Sequence, residues 1–148
     1  MVEKEGLDYG YNQFLSSVDT VILGRKTYDW VIKNAGKLSY LNHIVYVITS
    51  SQKESIEDVE FYNGSLEDLV VRLKLKEGKD IFCDGGSQIV NQLLKFGLID
   101  EFVISVVPVL LGSGKRLFQD IIPTQNLKLI STQQFETGLV QLKYQRIN

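Results

Sequence analysis

Apolar positions along the chain recur with two periods, and the alternation between them predicts its elements. Tyr11, Phe14, Leu15 and Val18 fall at i, i+3, i+4 and i+7, the stripe of a short amphipathic helix that Asp19 ends. Thr20 to Leu23 is short, apolar and rich in branched side chains, so it reads as a buried strand closed by Gly24. A helix follows from Arg25, with Tyr28, Val31 and Ile32 on one face. His43 to Ile48 is a second strand, continuously apolar as expected where both faces of a parallel sheet are covered, and Thr49, Ser50 and Ser51 close it. Val59 to Tyr62 predicts a further short strand. Ser65 and Asp68 then form a capping-box start for a helix whose buried stripe is Leu66, Leu69, Val70 and Leu73.

The same sequence of events returns once more. Asp80 to Cys83 reads as a strand, and Gly85, Gly86 and Ser87 lead into a helix with Ile89, Val90, Leu93 and Leu94 inward, stopped by Gly97. Asp100 to Val107 is a long β-branched strand. Leu127 to Phe135 and Leu139 to Ile147, joined around Thr137 and Gly138, predict a terminal antiparallel hairpin. Strands alternating with helices, then strands alone, imply an α/β fold: a mixed sheet, mostly parallel with a C-terminal antiparallel hairpin, and helices on both faces. No repeat, low-complexity tract or linker interrupts residues 1–148, so a single domain is expected.

Composition narrows the partners. With 44% hydrophobic and 23% charged residues the chain has the means to bury a core, and a net charge of −2 without a basic face argues against nucleic acid. The longest wholly apolar run, Val106 to Leu111, is far short of the roughly 20 residues that span a bilayer, and no charged-then-apolar leader opens the chain. A cytoplasmic protein without membrane contact is expected. Cys83 and His43 are each the only residue of their type, so neither a disulfide nor a metal-ligand set is implied.

Two places share a design suited to anions: a buried strand ends in glycine and a helix begins at once, bringing unpaired amides and the positive end of a helix dipole together. The first is Gly24, Arg25, Lys26 and Thr27, with a guanidinium, a mobile ammonium and a hydroxyl at the helix start. The second is Gly85, Gly86 and Ser87, where missing side chains let a pyrophosphate approach the main chain. Ligands of open α/β sheets collect at the carboxyl ends of strands, so both turns are expected to border one crevice with Thr49, Ser50 and Ser51. Competing motifs fail on spacing. Gly112, Ser113, Gly114 and Lys115 imitate a Walker loop, but Val109 stands where its first glycine belongs and Arg116 where Ser or Thr is required. Adjacent Gly85 and Gly86 are no Rossmann fingerprint, and no serine elbow exists.

The run Val21, Ile22, Leu23, Gly24, Arg25, Lys26, Thr27, Tyr28 resembles the cofactor-binding segment of dihydrofolate reductases. Ile48, Thr49, Ser50, Ser51 resembles that superfamily's next element, against the adenosine, and Asp84, Gly85, Gly86, Ser87 its glycine pair under the pyrophosphate. Ile99, Asp100 and Glu101, then Pro108 to Lys115 and Leu117 with Phe118, look like the reductase domain of riboflavin biosynthesis and its bacterial relatives. The resemblance runs from about Gly6 to the end, and implies a dihydrofolate reductase-like fold binding NADPH. Its cofactor residues would be Gly24, Arg25, Lys26, Thr27, Thr49, Ser50, Gly85, Gly86 and Ser87, with Tyr28 and Ser105 toward the substrate.

Family members open with a buried strand whose Ser-Leu-Asp-Gly-like turn lines the nicotinamide pocket and carries a carboxylate. This chain begins at Met1, Val2, Glu3 and Lys4, and nothing before Tyr11 has strand character. Three accounts stand: a truncated gene sequence, loss of part of the site, or another segment in its place. Sheet edges left open would need cover, which a partner chain could supply. The resemblance also implies a homodimer, for which Val106 to Leu111 offers an apolar interface. The expected function is NADPH-dependent reduction of a small heterocycle, pteridine- or pyrimidinone-like, with no proton donor identified. The alternative is a catalytically inactive nucleotide-binding or dimerisation module.

Overall fold

The structure, a computed structural model, describes residues 6–40, 42–51, 53–120 and 122–147. Met1, Val2, Glu3 and Lys4, on which the expectation about the chain's start rests, lie outside the described residues. In chain order the elements are α1 (Tyr11–Ser16), β1 (Val18–Gly24), α2 (Arg25–Ala35), β2 (Ile44–Ile48), β3 (Val59–Tyr62), α3 (Leu66–Lys74), β4 (Asp80–Gly85), α4 (Ser87–Lys95), β5 (Glu101–Val106), β6 (Leu127–Gln134) and β7 (Val140–Arg146).

The first four strands form a parallel sheet in the order β3-β2-β1-β4. Its interior strand β1 explains the unbroken apolar run of the sequence, for Val21, Ile22 and Leu23 are each 0% exposed. Val21 and Leu23 point to one face, packing with Tyr28 and Ile32 of α2 and Phe14 of α1. Ile22 points to the other, against Leu66, Leu69 and Val70 of α3 and Ile89 and Leu93 of α4. Helices therefore cover both faces.

β1 begins at Val18, two residues before the predicted strand, because Asp19 does more than end a helix. Its carboxylate accepts the Lys79 N–H at 2.7 Å and the Thr20 hydroxyl at 2.8 Å, clamping the entry of β4 to β1 across a register irregularity. Those same bonds, the Lys79 N–H foremost, lower the Asp19 pKa.

The remaining strands form a separate antiparallel sheet in the order β5-β7-β6. The predicted hairpin is its β6–β7 part, closed by the Phe135 N–H to the Leu139 carbonyl at 2.9 Å, with Gly138 at φ 83°. Among the described residues β4 and β5 are each paired on one side only. Polar ties hold this sheet against the helices. Asp100 pairs with Lys74 at the end of α3 and, at 3.6 Å, with Arg146, while Asn91 of α4 donates to the Leu117 carbonyl at 2.7 Å and accepts the Gln119 N–H at 2.9 Å.

Leu23→Ala removes a sealed side chain from the centre of the sheet and is expected to cost about 2–5 kcal/mol in urea unfolding. A loss within the scatter typical of surface substitutions would contradict the placement of β1.

Candidate functional site

Parallel pairing aligns the carboxyl ends of the strands. Gly24 stands opposite Ile48 and Leu23 opposite Gly85, so β1, β2 and β4 finish along one edge, where α2 and α4 begin. The two glycine turns adjoin. The Gly86 N–H donates to Thr27 Oγ1 at 3.2 Å, and a Cβ placed on Gly24 would lie 3.3 Å from Ile89 Cγ1 and 3.8 Å from the Gly85 carbonyl oxygen. A side chain at Gly24 would press on α4, which is the physical reason glycine ends β1. Gly85 differs. Its φ of 104° favours glycine, yet a Cβ there would meet nothing within 4 Å, so the space over this turn is open. The two glycine turns expected to share a border lie side by side.

The helix starts are not electrically alike. At α3 the Ser65 hydroxyl accepts the Asp68 N–H at 3.1 Å, and Glu67 and Asp68 occupy the first turn. α2 and α4, preceded by Gly24 and Gly86, have neither a side-chain cap nor an acidic residue in the first turn. Their amides and the positive ends of their dipoles thus remain available to an anion at the shared edge.

Cations lie beside it. The Arg25 Nε donates to Asp29 at 2.8 Å and its guanidinium stacks 5.6 Å from the Phe61 ring centroid. Among the described residues only Nε enters that pair, leaving the terminal nitrogens for a ligand. Lys53 Nζ stands 4.5 Å from the same ring and 5.9 Å from that of Tyr28. Lys53, Glu54, Phe61 and Asn63 line an open depression of about 410 Å³. Sequence reasoning missed Lys53, an ordinary lysine in a polar loop until the fold brings Phe61 under it.

Of the other expected site residues, Thr49 Oγ1 accepts the Ser51 N–H at 3.2 Å and shapes the turn after β2, with Ser50 exposed beside it. Lys26 is exposed on the first turn of α2, and Ser87 opens α4, its carbonyl accepting from the Asn91 side chain at 2.6 Å. Tyr28 is a core residue, 9% exposed and edge-to-face with Phe61 at 5.2 Å, so it supports the cation-bearing ring from below. Ser105 is exposed on β5 in the second sheet, opposite Gln141.

A second group that sequence reasoning passed over is Asp84, which immediately precedes the glycine pair. A carboxylate ending the apolar run Ile81, Phe82, Cys83 was the available signal. Tyr40, from the segment after α2, donates its hydroxyl to Asp84 Oδ2. Burial raises the Asp84 pKa and the Tyr40 hydrogen bond offsets part of that rise. Burial first, then the Asp84 bond and charge, push the Tyr40 phenol far above its ordinary range. For stability, a carboxyl with a raised folded-state pKa contributes fully below the ordinary carboxyl range and loses that contribution as pH rises through the folded value. Asp84 is therefore held at a cost in neutral solution.

The sequence matches the family model of the RibD C-terminal domain over residues 11–141. It is 42% identical over 146 residues to the uncharacterized protein YwjB of Bacillus subtilis (strain 168), covering 97% of this chain and 82% of that protein. To the uncharacterized YyaP of the same organism (strain 168) it is 36% identical over 148 residues, covering 93% and 79%. A Shewanella sp. PV-4 protein provisionally assigned to riboflavin biosynthesis superposes with a TM-score of 0.87 at 28% identity, over 99% of this chain and 84% of that one.

Burial pushes the Cys83 thiol from 9.0 up to about 11. Alkylation by iodoacetamide at pH 8 is therefore expected to be on the order of a hundredfold slower in the folded protein than in urea, because only the thiolate reacts. Equal rates would show the thiol to be exposed.

Proposed function

Because the chain belongs to the RibD C-terminal domain family, we propose that it is a cytoplasmic NADPH-dependent reductase of a small pteridine- or pyrimidinone-like heterocycle. The observation that carries this reading is the contact of two uncapped helix starts at one sheet edge, joined through the Gly86 N–H and Thr27 Oγ1 at 3.2 Å. A diphosphate fits there by chemistry: amide donors from both turns and no side chain over Gly85.

In this reading the turn amides at Gly24 and Gly85–Ser87 hold the diphosphate, with Lys26 adding charge at the rim. Thr27, already accepting from Gly86, still has its own proton to donate. Thr49 and Ser50 border the adenosine, and Arg25 and Lys53, flanking Phe61, take the extra phosphate that separates NADPH from NADH. When bound, the reduced nicotinamide supplies a hydride to a carbonyl or imine carbon. The chain's own task is to align the two and to provide a proton, and Asp84, with its raised pKa beside the glycine pair, is the group suited to release one. Tyr28 acts here as a support, and Ser105 is the β5 hydroxyl assigned to the substrate side. The alternative is an inactive nucleotide-binding or dimerisation module, which turnover of NADPH by the purified chain would exclude.

A homodimer is part of the proposal. Val106, Val107, Val109, Leu110 and Leu111 are all exposed, Leu110 completely, which supports an apolar interface there. Leu110→Glu is expected to leave a folded monomer in sedimentation velocity, and an unchanged sedimentation coefficient would exclude this segment from the interface.

NADPH is expected to raise the melting temperature, with about 2.7 kcal/mol of stabilisation at a hundred times its Kd. Arg25→Ala should abolish most of the rise. Lys53→Ala should weaken NADPH on the order of tenfold while leaving NADH nearly unchanged, since a single charge-assisted contact is lost. No shift at millimolar NADPH would defeat the reading.

A further inference from the structure

Asp84 occupies a break in the pairing of β4. The ladder with β1 runs from Ile22 opposite Cys83 to Leu23 opposite Gly85, so Asp84 is an extra residue with no partner on β1. A bulged residue re-aims its side chain, and the ladder does not fix the new direction. Another contact has to. Among the described residues the side chain bonded to Asp84 is Tyr40, whose hydroxyl donates to Oδ2. Tyr40 is itself anchored: its ring lies edge-on to Phe82 at 6.4 Å and to His43 at 6.5 Å, and packs against the buried cluster that holds Val21, Leu23 and Val47.

Taking Asp84 as the proton donor of the reductase reading, on which this rests, we infer that Tyr40 is its positioning residue: the phenol holds the bulged carboxyl in one orientation and reserves Oδ1 for the reacting molecule. A carboxylate accepts through two oxygens, and Tyr40 takes one of them. When Asp84 is protonated, Oδ2 stays the acceptor of the phenol and Oδ1 carries the proton. In the transfer the Oδ1–H bond breaks, and its proton goes to the nitrogen of an imine or the oxygen of a carbonyl whose carbon takes the hydride, with its electron pair, from the reduced nicotinamide. The carboxylate left behind keeps the Tyr40 bond, which is stronger to the charged form. Asp84 and Tyr40 are both half-buried, so water restores the proton directly.

Three groups feel the Asp84 charge: Tyr40, Tyr11 of α1 and Cys83 of β4. Cys83 packs into the cluster on the other face of the sheet, with Ile22 and Ile89. His43, beside the Tyr40 ring, bonds the Leu15 carbonyl at 3.0 Å. The Tyr40 bond is accordingly the polar contact that opposes the burial of the carboxyl.

NMR of the cofactor-free protein carrying carbon-13 aspartate, with Asp84→Asn for assignment, reads both the titration and the orientation of this side chain. Tyr40→Phe keeps the ring and removes the hydroxyl. It should move the Asp84 titration to higher pH, because the lost bond favoured the carboxylate, and bring the two Hα–Hβ couplings of Asp84 together as the side chain begins to rotate. Replacing Tyr40 by 3-fluorotyrosine, a stronger donor of nearly the same shape, should shift the titration the opposite way, which a packing role alone would not do. With NADPH and 7,8-dihydropterin as the probe substrate, Tyr40→Phe should lower kcat on the order of tenfold at unchanged KM, and the loss of activity as Asp84 deprotonates should move to higher pH with the NMR titration. An Asp84 titration unmoved by both replacements, or a kcat unchanged in Tyr40→Phe, overturns the assignment of Tyr40. Absence of turnover by the unaltered protein counts against the reductase reading, and the NMR titration then decides on Tyr40 by itself.

Discussion

With Val21, Ile22 and Leu23 sealed on both faces, β1 has no register available but the one observed. A slip of one residue would drive Val21 and Leu23 into the space that α3 and α4 have shaped around Ile22, and the reverse on the other face. The neighbours inherit this constraint. Because β2 and β4 pair with β1 in parallel, their carboxyl ends must stop beside Gly24, and the helices that follow β1 and β4 must start there too. The edge that carries the two glycine turns is a consequence of how the core is packed.

The helix starts that follow the parallel strands differ electrically. α3, which follows β3, neutralises its own dipole with Ser65, Glu67 and Asp68. α2 and α4, which follow β1 and β4, do not. Capping residues there would add local stability, and their absence leaves donors for an external acceptor. Thr27 reconciles the two demands, for its hydroxyl binds one helix start to the other through a single N–H.

The separation into two sheets sets the limits of the core. The parallel sheet is covered on both faces, whereas β6 is exposed along its whole length and β5 along much of it. Polar ties through Asp100, Asn91 and Arg146 link the antiparallel sheet and the loop before β6 to the helices, and among the described residues β4 and β5 are each paired on one side only. Such edges are ready to take up further backbone partners.

The helices, the strands and the two glycine turns could be read from residue order because each rests on neighbours within one or two turns: the Ser65 cap on Asp68, the apolar stripe of α4, the sealed run from Val21 to Leu23. The resemblance to a reductase family was legible for the same reason, being carried by short contiguous runs such as Gly24 to Tyr28. The partners of Asp84 and Lys53 were not. Tyr40 lies 44 residues from Asp84, and the Gly86 N–H 59 residues from Thr27 Oγ1. Spacing along the chain carries no information about which side chains two packed elements will bring together; that depends on the register of parallel strands and the side from which each helix covers them. Burial, which gives Asp84 its raised pKa, arises only once those layers close.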